Sequence, residues 1–406
     1  MKIIYLHQYF KFPNESGGTR SYDLATGFLD LGHKVEVVAL TSDNSLKKDG
    51  RWSQIKKDGL VLHLIFIPYK NDMNYIKRSS VFIKFLWFST LKLLTIKGDV
   101  VLATSTPLTV GVPALIKKWI HKTPYIFETR DVWPEVVIAI GAIRNKIMQK
   151  ILLYLEQLIY KNASAIVPLS SDMKHSIMTR YPEYKSKQVK VIENISEISR
   201  FQNGYDKEKS MIKDKIGFQP RFTVLYAGTF GRVNGINYVI KLANKLLQID
   251  SSIAFLLVGE GIERKALIEK AVKKKVLNKN LFILDPVSKI ELSQLYFECD
   301  IGSSFVLPIK ELWSNSANKF FDTLASGKPV LINYKGWQEE VINKKDIGYV
   351  LPPKINDDDV QKFAQYSLNK LLIAEQGVNS LSVAKKYYSK DMAIEKYNNI
   401  FNNIFL

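Results

Sequence analysis

One cysteine, Cys299, stands in 406 residues, which excludes an intrachain disulfide and any metal site built from several thiolates. Nowhere does the chain run for about 20 uncharged apolar residues, the length a membrane-spanning helix needs. Its first residues, MKIIYLHQYFKF, lack the long apolar core and small-residue cleavage site of a secretory leader. These absences lead to the expectation of a cytoplasmic chain, soluble or peripheral to a membrane. Negative charge is also scarce: 39 Asp and Glu face 58 Lys and Arg, a formal net charge of +19. An anionic partner is therefore expected, whether a nucleic acid, a phosphorylated small molecule or an anionic membrane surface. Zinc-finger spacing, an RNP-like stretch and a basic zipper are all missing, so a nucleic-acid-binding module rests on charge alone. No nucleic-acid partner is expected.

The length predicts two or three domains, and 46% hydrophobic residues against 24% charged predicts large buried cores. Lys2–His7 reads as a short buried strand. A glycine-containing loop, a helical run over Tyr22–Leu31 and a second strand at Val35–Leu40 follow it. Further strand-like runs at Leu60–Ile67, Val100–Ala103, Tyr125–Phe127 and Ala165–Pro168 alternate with helical stretches. The pattern restarts at Phe222 with FTVLYAG, IAFLLVGEG, LFILD, CDIGSSFV and PVLINY. Alternating strands and helices imply α/β architecture, with two doubly wound parallel sheets and a cleft between them. The polar stretch Glu193–Lys215 is expected to be the linker.

Three loops carry candidate chemistry. Gly17-Gly18, with Thr19 and Arg20 at the start of a helix, lets an anion approach backbone amides, or is simply a tight turn. Gly228-Thr229 opens a second glycine loop, with Arg232 as a fixed charge suited to a diphosphate. It lacks the Gly-Lys-Ser/Thr ending of a P-loop. Ser314-Asn315-Ser316 precedes a helix carrying Lys319 and Asp322, which can face one ligand or form a surface ion pair on a capped helix. In ETRDVWPE, Glu128–Glu135, four charged side chains surround a Trp-Pro pair directly after an apolar run, either a salt-bridged loop or a site at a strand end.

Taken together, the Gly17-Gly18 loop with GHKVEVVAL, RDVWPE, YAGTFGR, VGEG and NKFFDTLASGKPV resemble the family four glycosyltransferases, retaining enzymes of the GT-B fold. The resemblance spans nearly the whole length. Arg130–Glu135 resembles the Arg-Asp-Leu-Trp-Pro-Glu stretch of the bacterial O-antigen and capsule subset, including N-acetyl-L-fucosamine transferases. It implies two Rossmann-like domains, residues 1–200 for the acceptor and 205–387 for the donor, with the terminal helix 388–406 packing back on the first. It implies a UDP-sugar donor, of an N-acetylated or deoxy hexose, and a polyprenyl-diphosphate-linked acceptor at the inner face of the membrane. It implies neither cofactor nor metal. The two acids of the family pattern fall on Ser314 and Asp322, so the first is replaced and the second shortened. By resemblance Asp322 takes the ribose hydroxyls, and Gly259-Glu260 joins the donor site. Arg232 and Lys319 are expected to neutralise the diphosphate. Asp131 is expected to orient the acceptor hydroxyl or stabilise the sugar cation, held by Arg130 or Glu135. A UDP-sugar epimerase of similar architecture is the alternative.

Residues 73–97 contain five basic and no acidic residues. Helical spacing puts Phe82, Ile83, Leu86, Leu93 and Leu94 on one side, expected to face the core. Lys77, Arg78, Lys84, Phe85, Phe88 and Lys92 are expected to form a membrane-binding face. Asp357-Asp358-Asp359 is read as a solvated helix start rather than a metal motif.

Overall fold

The computed structural model describes residues 1–15, 17–46, 52–69, 73, 75–184 and 188–405. Two sheets organise them. The first contains β1 (Lys2–His7), β2 (Lys34–Thr41), β3 (Trp52–Lys57), β4 (Leu60–Phe66), β5 (Val100–Thr104), β6 (Tyr125–Thr129) and β7 (Ala165–Pro168), in the order β3-β4-β2-β1-β5-β6-β7. All pairs are parallel except β3 with β4. That hairpin departs from the expected parallel sheet. Its signal was Asp58-Gly59, both residues having positive φ as a two-residue hairpin turn requires.

Helices cover both faces because parallel strands are buried on both sides. On one face α1 (Arg20–Asp30) packs with Ile3, Tyr5 and Val37; on the other lie α2 (Tyr75–Thr95), α3 (Gly111–His121) and α5 (Lys146–Asn162), against Ile4, Leu6 and Val38. The short α4 (Glu135–Ala139) precedes α5, and α6 (Ser171–Arg180) follows β7.

The orientation of α2 overturns the expected membrane face. Val81, Phe85, Ser89 and Leu93, four residues apart, turn inward, and Phe85 sits in the core. Phe88 packs partly buried against that core, and the Lys92 ammonium lies over the Trp52 ring. Ile83, Trp87 and Leu91 point outward instead. Both sides of this helix are apolar enough to face a sheet, so the hydrophobic pattern leaves its rotation open. Tertiary contact decides it: the Lys117 Nζ of α3 donates to the Leu93 and Ile96 carbonyls at 2.8 and 2.7 Å, holding the end of α2. Lys77 and Lys84 are exposed, and the Arg78 side chain lies outside the described residues.

The stretch expected to be a linker is packed. Its helices α7 (Ile198–Asn203) and α8 (Met211–Ile216) bury Phe201 and Ile212 against the second sheet. That sheet has the order β10-β9-β8-β11-β12-β13 and is wholly parallel. It comprises β8 (Phe222–Ala227), β9 (Ile253–Val258), β10 (Leu281–Leu284), β11 (Ile301–Ser304), β12 (Val330–Ile332) and β13 (Gly348–Val350). Around it run α9 (Asn237–Leu246), α10 (Arg264–Lys273), α11 (Lys289–Glu298), α12 (Lys310–Trp313), α13 (Asn318–Ala325), α14 (Trp337–Lys345), α15 (Asp357–Tyr366) and α16 (Lys370–Tyr387). Asn356 and Asp359 form a capping box at α15, so the three aspartates are its first turn. Finally α17 (Lys390–Phe405) packs on α1 through Ala393, Ile394, Tyr397 and Phe401.

Strand order reverses direction at β1/β5 and at β8/β11. Loops leaving the carboxyl ends of strands at such points form ligand crevices.

Candidate active site

Three loops come from the first sheet, after β1, β5 and β6. Asp131, just past β6, is exposed, and its Oδ2 accepts a hydrogen bond from Thr106 Oγ1 at 2.9 Å. The backbone around it is tied down: Ser105 Oγ accepts from the Arg130 amide at 2.9 Å, and Thr129 Oγ1 donates to the Asp131 carbonyl at 3.0 Å. The expected partners are not the ones found. Glu135 turns away to accept from Ser176 Oγ at 2.6 Å and to face Arg180, and Arg130 makes no ion pair among the described residues. Thr106 was missed because it lies some 25 residues away in a plain Ser-Thr-Pro turn.

Arg20 and Thr19 move from ligand contacts to structure. The Arg20 guanidinium is shut inside the first domain, giving hydrogen bonds to Glu128 Oε2 and to the Ile192 and Glu193 carbonyls. Although burial works against its charge, Glu128 raises its proton affinity. Tyr397 from α17 donates to the same carboxylate. An arginine at a glycine-loop helix suggests an anion site, but a carboxylate on the neighbouring strand claims it first.

Thr19 is buried, with Oγ1 2.9 Å from Asp23 Oδ2 and also against Glu197 Oε1. A hydroxyl has one proton, so it donates to only one of the two carboxyl groups. Burial, followed by the Glu197 charge, pushes Asp23 up to about 7. Arg200 closes the group by pairing with Glu197.

Gly17 has φ +124°, and Gly18 meets the second domain: a Cβ there would run into the Asn318 carboxamide. Asn318 also contacts Asn194, while Ser196 Oγ donates to the Phe321 carbonyl at 3.0 Å and Ser170 Oγ to the Ser314 carbonyl at 2.7 Å. The domains therefore touch through the start of α13.

That helix start has anion-binding character. No side chain caps it, its N-cap being Ala317, and the Ser316 hydroxyl is buried without a partner. Asn315 is committed to structure, its carbonyl accepting from Trp337 Nε1 and Gln338 Nε2. Lys319 Nζ lies 4.9 Å from the Tyr226 ring centre and against Gly228, and burial pushes its pKa down to about 8, Asp322 opposing the shift. Asp322 does not pair with Lys319. Its buried carboxylate faces Lys289 Nζ at 3.6 Å, and burial raises its pKa.

Around Lys319 the two glycine loops interlock. Gly259, φ +154°, sits so tightly on the Gly228 carbonyl that any side chain would collide, and the Phe230 amide donates to the Glu260 carbonyl at 2.8 Å. The exposed Glu260 carboxylate accepts from the Gly261 amide and pairs with Arg264. Thr229 and Arg232 are exposed, and Arg232 has no ion pair among the described residues. The structure thus brings Gly18, Ser316, Lys319, Gly228 and Asp322 around the start of α13, with Asp131 held separately on the first domain.

Two family models match, one over each domain: Glycosyltransferase Family 4 over residues 17–200 and Glycosyl transferases group 1 over residues 208–375. A curated relative, a probable glycosyltransferase WbjE of Pseudomonas aeruginosa, is 23% identical over 340 residues, 81% of each chain. Among solved structures, sucrose-phosphate synthase from Thermosynechococcus elongatus superposes with a TM-score of 0.76 at 14% identity, covering 100% of this chain and 99% of that one. Anabaena HepE in complex with UDP and glucose superposes with a TM-score of 0.71 at 16% identity, covering 99% and 100%. The epimerase alternative is not favoured. With two Rossmann-like domains facing each other across the start of α13, the chain is a glycosyltransferase of the GT-B type.

Proposed function

We propose that this enzyme transfers a sugar from a UDP-sugar to a saccharide linked to a polyprenyl diphosphate, with retention of configuration and without a metal, at the inner membrane face during assembly of a bacterial surface polysaccharide. The observation that carries the donor assignment is the start of α13, where an uncapped helix N-terminus, an unpartnered Ser316 hydroxyl and Lys319 converge. These groups suit a diphosphate, for which helix amides and a lysine supply complementary charge. HepE, of the same fold, is solved with UDP. In this reading Arg232 is a second cation for the diphosphate, and Asp322, buried beside Lys289, accepts from ribose hydroxyls.

In this reading the bond between the anomeric carbon and the diphosphate breaks while the acceptor oxygen bonds that carbon on the same face. The acceptor proton passes to the departing diphosphate oxygen. Asp131 orients the hydroxyl or stabilises the sugar cation, and Thr106 fixes its carboxylate. The sugar in this reading is an N-acetylated or deoxy hexose, the class suggested by the resemblance to N-acetyl-L-fucosamine transferases.

The melting temperature with UDP, GDP and ADP tests the donor site, in the wild type and in Asp322→Ala. Selective stabilisation by UDP, lost in the variant, is expected. No response to any nucleotide at saturating concentration overturns the assignment.

A further inference from the structure

The outward face of the first domain carries an unexplained feature. Of the twenty large hydrophobic residues exposed among the described residues, nine lie on α2, α3 and α5, which together hold 49 of the 406 residues. On α2 they are Ile83, Trp87 and Leu91, spaced four apart. On α3 they are Trp119 and Ile120. On α5 they are Ile147, Met148, Ile151 and Tyr154, with Ile147 70% exposed. All three helices pack on the same side of the sheet, so their outer sides form one surface. Neighbouring packed helices lie roughly 10 Å apart, which makes it three helices broad.

Charge on this surface has one sign. The three helices contain nine Lys and Arg and one acid, Glu156. That acid is buried and paired with Arg180, so no carboxylate is exposed on them. Lys84 on α2 and Lys146 and Lys150 on α5 stand exposed beside the apolar residues. Patches of this kind mark interaction sites. Apolar side chains interleaved with unopposed lysines match an anionic bilayer, where rings and aliphatic groups enter the interface and ammonium groups meet headgroup phosphates. Self-association is disfavoured because the face repels its own copy.

The surface also has a direction. The first turns of α5 follow Asp131 by only 15 residues, through α4, whose Val136 packs against the second domain beside Leu312. At the start of α5 a recess of about 370 Å³ is lined by Ile143, Arg144, Ile147, Met148 and Ile151, among others.

We propose that the outer face of α2, α3 and α5 docks on an anionic lipid bilayer, with the Ile147–Tyr154 end seated in the interface beside the cleft. This rests on the lipid-linked acceptor reading and names the surface that meets the lipid. An acceptor headgroup leaving the bilayer then enters the cleft next to Asp131.

Flotation of the full chain with vesicles of neutral phosphatidylcholine, or with a third phosphatidylglycerol, tests it. Two triple variants are compared: Trp87→Ser/Ile147→Ser/Ile151→Ser and Lys84→Glu/Lys146→Glu/Lys150→Glu. All six positions are exposed, and the UDP melting shift reports whether the cleft is intact. The wild type is expected to float at least tenfold better with anionic vesicles, and each variant to lose at least tenfold while keeping the UDP shift. Absence of flotation, equal flotation on both vesicles, or variants floating like the wild type overturns the proposal. A wild-type dimer that both variants dissociate, seen by light scattering, overturns it in favour of a self-interface. Flotation as expected without any UDP shift in the wild type leaves the surface standing and sinks the donor reading instead.

Discussion

Arg20 Nη2 lies 2.8 Å from Glu128 Oε2, with both side chains sealed from solvent. Tyr397 joins them from α17, so one carboxylate links the glycine-loop helix, the strand that leads to Asp131, and the end of the chain. Removing one partner of such a pair strands a buried charge, at about 3–5 kcal/mol. Arg20→Ala is therefore expected to destabilise the protein by about that amount in urea unfolding, while UDP affinity of the folded fraction stays near wild type. Loss of UDP affinity without loss of stability would return Arg20 to the ligand site.

Asp131 and Thr106 separate chemistry from positioning. Asp131→Asn is expected to lower kcat by about 10²–10⁴-fold, the range for a group acting at the reacting atoms. Thr106→Val should lower kcat by about tenfold with KM for the donor unchanged, and Thr106→Ser should restore it. A Thr106→Val enzyme with wild-type kcat would show that the 2.9 Å hydrogen bond is incidental.

Gly18 lies against α13, where a Cβ would meet the Asn318 carboxamide. Gly18→Ala should push Asn318 away and weaken UDP binding by about tenfold, measured by calorimetry. Asn318→Ala in the same chain should recover most of the loss. Failure of the second change to rescue the first would mean that the added methyl does not act through Asn318.

Lys319 gives a pH dependence. Burial lowers it to about 8, against about 10.4 for an unperturbed lysine. Above pH 8 the unliganded enzyme loses this positive charge, so UDP affinity should fall between pH 7.5 and 9. Lys319→Arg, which keeps its charge, should flatten that fall. A fall of equal size in both would assign it to another group.

Asp23 acts on stability with its own sign. Its folded pKa, about 7, exceeds the unfolded value of about 3.9. The folded state therefore holds the extra proton between those values, and this contribution is full below pH 4 and lost as pH rises through 7. Asp23→Asn should flatten the decline and be more stable than wild type at pH 8. Parallel pH profiles for the two proteins would contradict the raised carboxyl of Asp23.

How much of this was legible in the chain differs by scale. Strands β1, β2 and β4 to β12 could be read because parallel strands are continuous apolar runs, such as Ile3–Leu6 or Ile253–Val258, whereas the three-residue, half-buried β13 gives no such run. The antiparallel β3 could not, since its polar edge sequence WSQIKK reads as surface. Lys319 and Asp322 were legible as a pair on one helix, but the partner that faces Asp322, Lys289, lies 33 residues away. Residue spacing cannot show a contact made across elements.

Composition and local pattern determined the two-domain α/β plan, the glycine loops at strand ends and the basic character, because these follow from burial period and backbone freedom. Tertiary structure alone decided which charges are spent internally and which remain available. Arg20 and Arg232 both follow glycine loops, yet one meets a buried carboxylate and the other meets solvent. It also decided which side of α2 faces outward: apolar residues lie on both sides of the helix, and packing against the sheet, with Lys117 holding its end, turns Phe85 inward.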